Sequence, residues 1–249
     1  MRALVREIPE SFTRALSAQV PSSPIDVALA RSQHAAYVAA LGASGVAVET
    51  IAADEACPDC CFVEDTAVIV DGVALITQPG APSRRAETAA IGAALARHAE
   101  IARMNGDATL DGGDCMRIGN TIYVGASART NNAGIARLTE VFSKLRVVTV
   151  WLPANVLHLK CVCTPLGDDR MLLADHTLAP ATFDAHVIGV PAEETYAANA
   201  VALGSHVIVA DGFPRTREAL AAAGFTVHAV PTSEVRKADG SLTCQSLVY

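Results

Sequence analysis

The chain has 249 residues, 51% of them hydrophobic, and a formal net charge of −7. This apolar content can bury a large core and excludes a disordered chain, and an acidic surface without clusters of Lys and Arg argues against a nucleic-acid partner. No apolar run approaches the ~20 residues that cross a bilayer, so we expect no membrane insertion. An acidic protein does attract small cationic ligands.

The cysteines point to a reducing compartment. There are seven, an odd number, which in a long apolar chain indicates free thiols rather than a disulfide framework. The N-terminus also lacks the apolar stretch of a signal peptide, so we predict a cytoplasmic protein. Cys57-Pro58-Asp59-Cys60 has the spacing of one zinc-ligand pair, but no second pair or histidine completes the set. We therefore expect no metal and no other cofactor.

The predicted elements of the first half begin with helices and hairpins in alternation. They are a helix from Ser23-Pro24 to Leu41 with Ser23 as N-cap, a strand from Val46 to Ile51, strands from Phe62 to Val70 and from Val73 to Thr77 joined at Asp71-Gly72, and a helix from about Ser83. No linker divides the chain, so we predict one domain over residues 1–249.

The same order returns three times in the second half. It returns as strands Met116 to Ile118 and Thr121 to Val124, a helix from about Asn131 to Phe142 and a strand from Val147 to Leu152; as a weaker copy from His158 through Met171-Ala174 to Val187-Val190; and as a strand from His206 to Ala210, a helix from Pro214 to Ala223 and a strand from Thr226 to Val230. Four or five such units predict pseudo-symmetric modules around an axis. The alternative is a doubly wound sheet, which the frequent hairpins disfavour.

Several polar residues could carry chemistry. Asp59, Glu64 and Asp65 could grip a guanidinium, although acids at a strand entry are more often solvated. Asp111-Gly112-Gly113-Asp114 could bring two acids to a cleft, although Asp and Gly are ordinary turn residues. His158 and Cys244 could be a proton-transfer group and a nucleophile, or a packed histidine and a small buried hydrophobe.

Six segments are informative as an ordered set. They are Phe62-Val63-Glu64-Asp65, Leu75-Ile76-Thr77-Gln78-Pro79-Gly80-Ala81-Pro82-Ser83-Arg84-Arg85, Thr109-Leu110-Asp111-Gly112-Gly113-Asp114, Ser127-Ala128-Arg129-Thr130-Asn131, His158-Leu159-Lys160 and Lys237-Ala238-Asp239-Gly240-Ser241-Leu242-Thr243-Cys244. In this order they resemble the dimethylarginine dimethylaminohydrolases of the guanidino-group-modifying (pentein) superfamily. The resemblance implies a five-fold pseudo-symmetric α/β propeller of ββαβ modules. It also implies a catalytic domain that hydrolyses asymmetric dimethylarginine or monomethylarginine to citrulline and dimethylamine or methylamine through a covalent thiouronium intermediate.

The resemblance also assigns roles to individual residues. The nucleophile falls on Cys244, the proton-transfer histidine on His158 and the acid that orients the histidine on Asp111. The substrate-binding residues are Glu64 and Asp65 for the guanidinium, Asp59, Arg84 and Arg129 for the amino-acid end, Leu16 as the lid leucine, and Asp239. The implied partner is a small cationic amino acid, and the protein is expected to be a monomer or a homodimer.

Two other functions stay open. Arginine deiminases resemble this fold but tend to carry an aspartate two residues after the histidine, where this chain has Lys160. Fewer carboxylates around the guanidinium suit a methylated nitrogen. A protein that binds a guanidino compound without converting it is the second alternative. Zinc bound to the thiolate and imidazole would act as an inhibitor.

Overall fold

Five three-stranded β-sheets form the framework of the molecule, and the computed structural model describes residues 1–249. The strands are β1 (Arg2–Arg6), β2 (Ala47–Ile51), β3 (Ala67–Val70), β4 (Val73–Ile76), β5 (Glu100–Arg103), β6 (Cys115–Ile118), β7 (Thr121–Ala126), β8 (Arg146–Trp151), β9 (Cys163–Gly167), β10 (Arg170–Ala174), β11 (His186–Val190), β12 (Val201–Leu203), β13 (His206–Ala210), β14 (Thr226–Val230) and β15 (Ser246–Val248). The sheets are β15-β1-β2, β3-β4-β5, β6-β7-β8, β9-β10-β11 and β12-β13-β14. We call them modules one to five in this order.

Each module has the same internal connections. Its middle strand pairs antiparallel with the first strand and parallel with the third. A parallel pair needs a crossover connection, and a helix supplies it in four modules. The helices are α1 (Val27–Ala43), α2 (Thr88–Leu95), α3 (Asn132–Val141) and α4 (Pro214–Ala222), with a short α5 (Ser233–Arg236) before the C-terminal strand. In module four the 3-10 turn Pro180–Thr182 replaces the helix. None of the helices has the length and apolar character needed to cross a membrane.

The five modules stand around a common axis. Residues of the five first strands, β3, β6, β9, β12 and β15, line one central cavity of about 280 Å³. Five hydrophobic clusters each join two neighbouring modules, so the core lies between the sheets. This arrangement confirms the predicted five-fold α/β propeller of ββαβ modules and rules out the doubly wound sheet.

Module one is assembled from both ends of the chain. β15 pairs antiparallel with β1, with Ala3 opposite Val248 and Val5 opposite Ser246. β1 in turn pairs parallel with β2. The ring therefore closes through hydrogen bonds between the two terminal strands, and this closure brings the segment before β15 to the axis.

A short 3-10 turn precedes the first strand of every module, and we call these the axial turns. They are Val63–Thr66, Gly112–Asp114, Leu159–Cys161, Ala192–Ala198 and Thr243–Gln245. The first four turns contact one another in chain order, and the fifth contacts the first. The geometry that the five modules share therefore brings five segments, far apart in the sequence, into one ring at the end of the central cavity.

Several predicted boundaries are confirmed. The hairpin at Asp71-Gly72 is present, and both residues have positive φ, 49° and 80°, as a tight hairpin turn requires. Asn131 caps α3, because its side chain accepts the Gly134 N–H at 2.8 Å.

Other boundaries are wrong. The first helix begins at Val27 rather than Ser23-Pro24, because Asp26 provides the cap by accepting the Leu29 N–H at 3.0 Å. The strand predicted from Phe62 starts only at Ala67, since residues 63–66 form an axial turn. His158 does not begin a strand, because it caps the axial turn Leu159–Cys161.

Candidate active site

A cavity of about 190 Å³ lies beside the axial turns and gathers most of the predicted site residues. Eight of the ten line it: Leu16, Asp59, Asp65, Arg84, Arg129, His158, Asp239 and Cys244. The remaining two are Asp111, which lies behind the imidazole of His158, and Glu64, which lines the central cavity instead. The thiol and the imidazole thus face one cavity although 86 residues separate them in the sequence (244 − 158).

His158 is buried and sits between two carboxylates. Its Nε2 lies 3.0 Å from Asp111 Oδ2, and its Nδ1 lies 3.9 Å from Asp65 Oδ1. Burial disfavours the charged imidazole, but the charge of Asp65, the hydrogen bond to Asp111 and the charge of Asp114 outweigh it and raise the pKa of His158 to about 9. The imidazole is therefore protonated at neutral pH and can act as a proton donor.

Asp111 is held on its other side as well. Its Oδ1 accepts the Gly80 N–H at 2.8 Å, and its own N–H donates to Thr130 Oγ1 at 3.2 Å. With no accessible surface, Asp111 has its second oxygen fixed on the histidine. This geometry suits an acid that orients the imidazole.

Asp65 faces the cavity with its charge stabilised from behind. Its Oδ2 accepts Arg84 Nη1–H at 2.5 Å and its Oδ1 accepts the Gly113 N–H at 3.0 Å. Burial opposes ionisation, but the charges of His158 and Arg84 outweigh it, so the pKa of Asp65 is lowered. Asp65 is thus an anion that can meet a cationic ligand.

Gly113 makes this close approach available. A Cβ on Gly113 would lie 2.9 Å from both Asp65 Oδ1 and His158 Nδ1. Any side chain here would push the carboxylate and the imidazole away from each other. The two glycines of the Asp-Gly-Gly-Asp sequence are therefore a packing requirement of the site.

Arg84 uses nearly all of its donors inside the protein. Besides Asp65, its guanidinium donates to both carboxylate oxygens of Glu87 and to the Phe62 carbonyl at 2.7 Å. Since a guanidinium has five N–H groups, only one is left for a ligand. Arg129 is half-buried and its guanidinium makes no hydrogen bond or ion pair within the protein, so it is the arginine that can grip a carboxylate in two places.

Glu64 does not reach the cavity that was predicted for it. Its Oε1 accepts Lys160 Nζ–H at 2.8 Å and its Oε2 accepts Thr243 Oγ1–H at 2.6 Å. In a 3-10 turn neighbouring side chains point about 120° apart, so Glu64 and its neighbour Asp65 face different cavities. The ion pair of Glu64 and Lys160 therefore lies on the side of the central cavity, and Asp65 is the one of the two acids that faces the site cavity.

Cys244 is half-buried in the axial turn before β15 and packs against a hydrophobic cluster that includes Phe12, Phe62 and Val235. Burial and the charges of Glu64 and Asp65 raise the pKa of the Cys244 thiol well above its usual value. Without a ligand the sulfur is thus a neutral thiol. A cation bound between it and Asp65 would favour the thiolate.

Residues 16–18 form one wall of the cavity and are tied down by two acids. Asp59 Oδ1 accepts the Leu16 N–H at 2.9 Å, and Asp239 Oδ2 accepts the Ala18 N–H at 2.5 Å. The Leu16 side chain is exposed at the mouth, as expected for a lid residue. Asp239 adopts a positive φ of 55°, a conformation that Asp tolerates better than most residues.

Asp65, Asp111 and His158 also place oxygen and nitrogen atoms within 4.8 Å of one another. The two carboxylates already accept hydrogen bonds from Arg84, Gly113 and Gly80, and the imidazole bonds to Asp111. We therefore assign this cluster to hydrogen bonding and identify no metal ligands in it. The absence of a cofactor stays a prediction.

The sequence motifs did not reveal two acids of the site. Glu87 pairs with Arg84, and burial raises its pKa to about 7. Asp114 is fully buried and accepts three hydrogen bonds from two segments, two from Ser127 and Thr130 and one from the Leu159 N–H. The position of Glu87 three residues after Arg84, on one face of a turn, was the available signal. The Asp-Gly-Gly-Asp motif pointed to Asp114 but gave it no partner.

Comparison with known proteins agrees with this geometry. A family model described as N,N dimethylarginine dimethylhydrolase, eukaryotic, matches residues 12–205. The N(G),N(G)-dimethylarginine dimethylaminohydrolase of Streptomyces coelicolor is 41% identical over 255 residues, covering 99% of this chain and 96% of the relative. The enzyme of the same name from Pseudomonas aeruginosa is 38% identical and covers 90% of each chain. The chain belongs to the dimethylarginine dimethylaminohydrolase family.

Solved structures of the dimethylarginine dimethylaminohydrolase family share the fold. A cysteine-to-serine variant of the Pseudomonas aeruginosa protein in complex with citrulline superposes with a TM-score of 0.94 at 36% identity, covering 99% of this chain and 98% of that one. The N-terminal domain of ArgZ, a cyanobacterial arginine dihydrolase, superposes with a TM-score of 0.86 at 18% identity, which shows a common fold and no more.

Proposed function

We propose that this protein hydrolyses Nω-methylated arginines, asymmetric dimethylarginine and monomethylarginine, to citrulline and dimethylamine or methylamine. The observation that carries the proposal is one cavity lined by the thiol of Cys244, the protonated imidazole of His158 and the ionised carboxylate of Asp65. Membership of the dimethylarginine dimethylaminohydrolase family and a relative solved with citrulline support the same reaction.

The first half of the reaction forms the covalent intermediate. The substrate guanidinium binds against Asp65, and its positive charge favours ionisation of the nearby Cys244 thiol, which releases its proton to solvent. The thiolate attacks the central guanidinium carbon, and the tetrahedral adduct collapses as the bond from this carbon to the methylated nitrogen breaks. His158 gives its proton to that nitrogen, so that a neutral amine leaves and a thiouronium remains on the sulfur.

The second half releases the product. His158, now neutral, takes a proton from a water molecule as the water attacks the thiouronium carbon. The carbon–sulfur bond then breaks as the new hydroxyl group becomes the carbonyl of citrulline and its proton passes to the sulfur. Citrulline leaves, and Cys244 is again a thiol and His158 again a protonated imidazole. Asp111 keeps the imidazole in one orientation through both steps, since its carboxylate stays bonded to Nε2.

The amino-acid end of the substrate lies toward the mouth of the cavity in this proposal. Arg129 binds the α-carboxylate, Asp59 and Asp239 attract the α-ammonium group, and Leu16 covers the bound molecule. Arg84 acts mainly behind Asp65, where it holds the carboxylate in its ionised form. The resemblance assigned Arg84 to the amino-acid end of the substrate, but only one of its N–H groups is free to bind there.

The methylated substrate is preferred over arginine because few anions surround the guanidinium. Lys160 occupies the position where deiminases tend to carry an aspartate, and it neutralises Glu64 as well. Asp65 is then the one carboxylate that faces the guanidinium. Methyl groups on a nitrogen that does not contact Asp65 therefore remove no ionic contact.

The experiment is a comparison of asymmetric dimethylarginine, monomethylarginine and arginine as substrates of the purified protein, with citrulline as the measured product. We expect both methylated substrates to have a higher kcat/KM than arginine, and Cys244→Ser to abolish turnover while ligand binding is retained. Faster turnover of arginine would contradict the substrate assignment. If Cys244→Ser changed neither binding nor turnover, the protein would be a binding protein instead.

We also propose a cytoplasmic location and action as one catalytic domain, 1–249, because all seven cysteines are free thiols and four modules contribute site residues. The oligomeric state, monomer or homodimer, is open to measurement by light scattering.

A further inference from the structure

Asp114 is a fully buried carboxylate without a cationic partner in contact. Its Oδ1 accepts the Leu159 N–H at 3.0 Å, and its Oδ2 accepts hydroxyl hydrogens from Ser127 at 2.5 Å and Thr130 at 2.6 Å. All of these donors are neutral. A buried charge is costly unless it is paired or hydrogen-bonded, so this carboxylate depends on its three neutral donors.

These three hydrogen bonds connect the segments that carry the reaction. Leu159 directly follows His158, so its N–H fixes the main chain that carries the imidazole. Thr130 Oγ1 also accepts the N–H of Asp111, the acid that orients the imidazole. The two oxygens of Asp114 therefore hold both segments. Oδ1 fixes the main chain next to His158, and Oδ2, through Thr130, fixes the main chain of Asp111.

Ser127 extends the network to the substrate-binding side. Its Oγ accepts the N–H of Arg129 at 3.0 Å while its hydroxyl donates to Asp114. Gly125 packs directly against the same carboxylate, since a Cβ there would lie 2.7 Å from Asp114 Oδ1. The Asp114 carboxylate is thus held by three hydrogen bonds and by close packing against Gly125.

We propose that Asp114 is a positioning residue for proton transfer, which fixes the main chain of His158 and adds a third negative charge beside its imidazole. It does not touch the substrate. The negative charges that act on His158 are then those of Asp65, Asp111 and Asp114. The Cys244 thiol lines the same cavity, and the main-chain N–H of Cys161 donates to the His158 carbonyl. Only the kinetic part of this inference rests on the proposed function.

The electrostatic part has a measurable consequence. Burial raises the pKa of Asp114 to about 6, although the charge of His158 and the hydroxyl donors oppose the rise. Above this pH the carboxylate is ionised and helps to keep the imidazole protonated. Loss of the charge should lower the pKa of His158 by about one pH unit, as expected for one nearby buried charge.

The test is the variant Asp114→Asn, which keeps an oxygen for the Leu159 N–H and removes the charge. In a Cys244→Ser background, an NMR titration should give a His158 pKa lower by about one, with the signal identified by its absence in His158→Gln. In the active enzyme, the alkaline limb of kcat should move down by the same amount while KM changes less than about twofold. An unchanged His158 pKa in Asp114→Asn would overturn the proposal.

Glu194→Gln is the matched control. Glu194 is also buried and also accepts only neutral donors, the N–H groups of Arg215 and Thr216 and the Thr216 hydroxyl, but it lies in module five. It should lose stability as Asp114→Asn does and leave the His158 titration unchanged. A His158 shift of equal size in Glu194→Gln would assign the effect to general loosening and reject the proposal.

A second measurement needs no change at Asp114. The imidazole signals of His158 in the Cys244→Ser protein should show a smaller inflection near pH 6, when Asp114 loses its proton, and Ser127→Ala should move this inflection upward. A flat response between pH 5 and pH 7 would contradict the proposal even if Asp114→Asn fails to fold. Because the titration does not depend on turnover, a protein with the predicted shifts and no citrulline production would refute the proposed function alone.

Discussion

The raised pKa of His158 predicts that the folded protein loses stability as the solution becomes alkaline. Because the folded pKa, about 9, lies above the ordinary value of 6.5, the contribution is fully present below pH 6.5 and is lost as the pH rises through 9. The two values differ by about 2.5, and each unit corresponds to about 1.4 kcal/mol. The full contribution is then about 3 kcal/mol, a large part of the stability of an ordinary domain.

The assay is urea unfolding of the wild type and of His158→Gln at several pH values between 6 and 9.5. We expect the free energy of unfolding of the wild type to fall by about 3 kcal/mol more than that of the variant across this range. The raised thiol pKa values also reduce stability at alkaline pH, but they are common to both proteins and cancel in the difference. Equal pH dependence in the two proteins would refute the reasoning.

His34→Gln gives a control of opposite sign. Burial lowers the pKa of His34 in spite of its hydrogen bond to Gln245 at 3.0 Å. Its neutral form is the one that the fold accepts, so its contribution is lost as the pH falls below 6.5. The difference between wild type and His34→Gln should therefore appear in acid, where His158 contributes a constant amount.

Three further predictions follow from the packing and charge of the site. Gly113→Ala should lower kcat at least tenfold, because the added Cβ collides with Asp65 and His158. Gly42→Ala is the control and should leave kcat unchanged, since its Cβ meets nothing within 4 Å. Equal rates for the two variants would show that the close approach of Gly113 to Asp65 and His158 is dispensable. Lys160→Met should lower the free energy of unfolding, measured by urea titration, by about 3 kcal/mol because Glu64 stays buried without its partner. The double variant Lys160→Met with Glu64→Gln should recover most of this loss. Additive losses from the two substitutions would exclude the pairing. Arg129→Gln should raise the KM for dimethylarginine about a hundredfold with little change in kcat. The KM for an analogue that lacks the α-carboxylate should not change. The same rise in KM with both ligands would exclude the contact between Arg129 and the α-carboxylate.

The repeated order of hairpin, helix and strand made the modular ring predictable from the sequence. Local patterns decide such elements, and the Asp71-Gly72 turn shows this well. The composition of module one was not predictable in the same way. Its sheet needs β15 beside β1, a pairing between segments more than 200 residues apart that no local pattern encodes.

The sequence predicted which residues belong to the site better than it predicted where their side chains point. Eight predicted residues line one cavity, but the motif Phe62-Val63-Glu64-Asp65 could not tell which of its two acids points there. The answer depends on the 3-10 geometry of the axial turn and on Lys160 from another module. For the same reason the sequence could not show that Arg84 spends its donors on Asp65 and Glu87.

The ring of axial turns divides the chemistry among separate parts of the chain. The first turn carries Asp65, the second follows Asp111, the third follows His158 and the fifth carries Cys244, while the fourth, Ala192–Ala198, carries none of the predicted site residues. Each turn is anchored by its own sheet, but the turns also bond to one another, as the Gly113 N–H does to Asp65 and the Leu159 N–H does to Asp114, so a substitution in one turn is expected to shift reactive groups on its neighbours. The fourth turn contributes no residue to the wall of the site cavity, so a designer could use it to alter the framework of the ring with the least direct effect on the reactive groups.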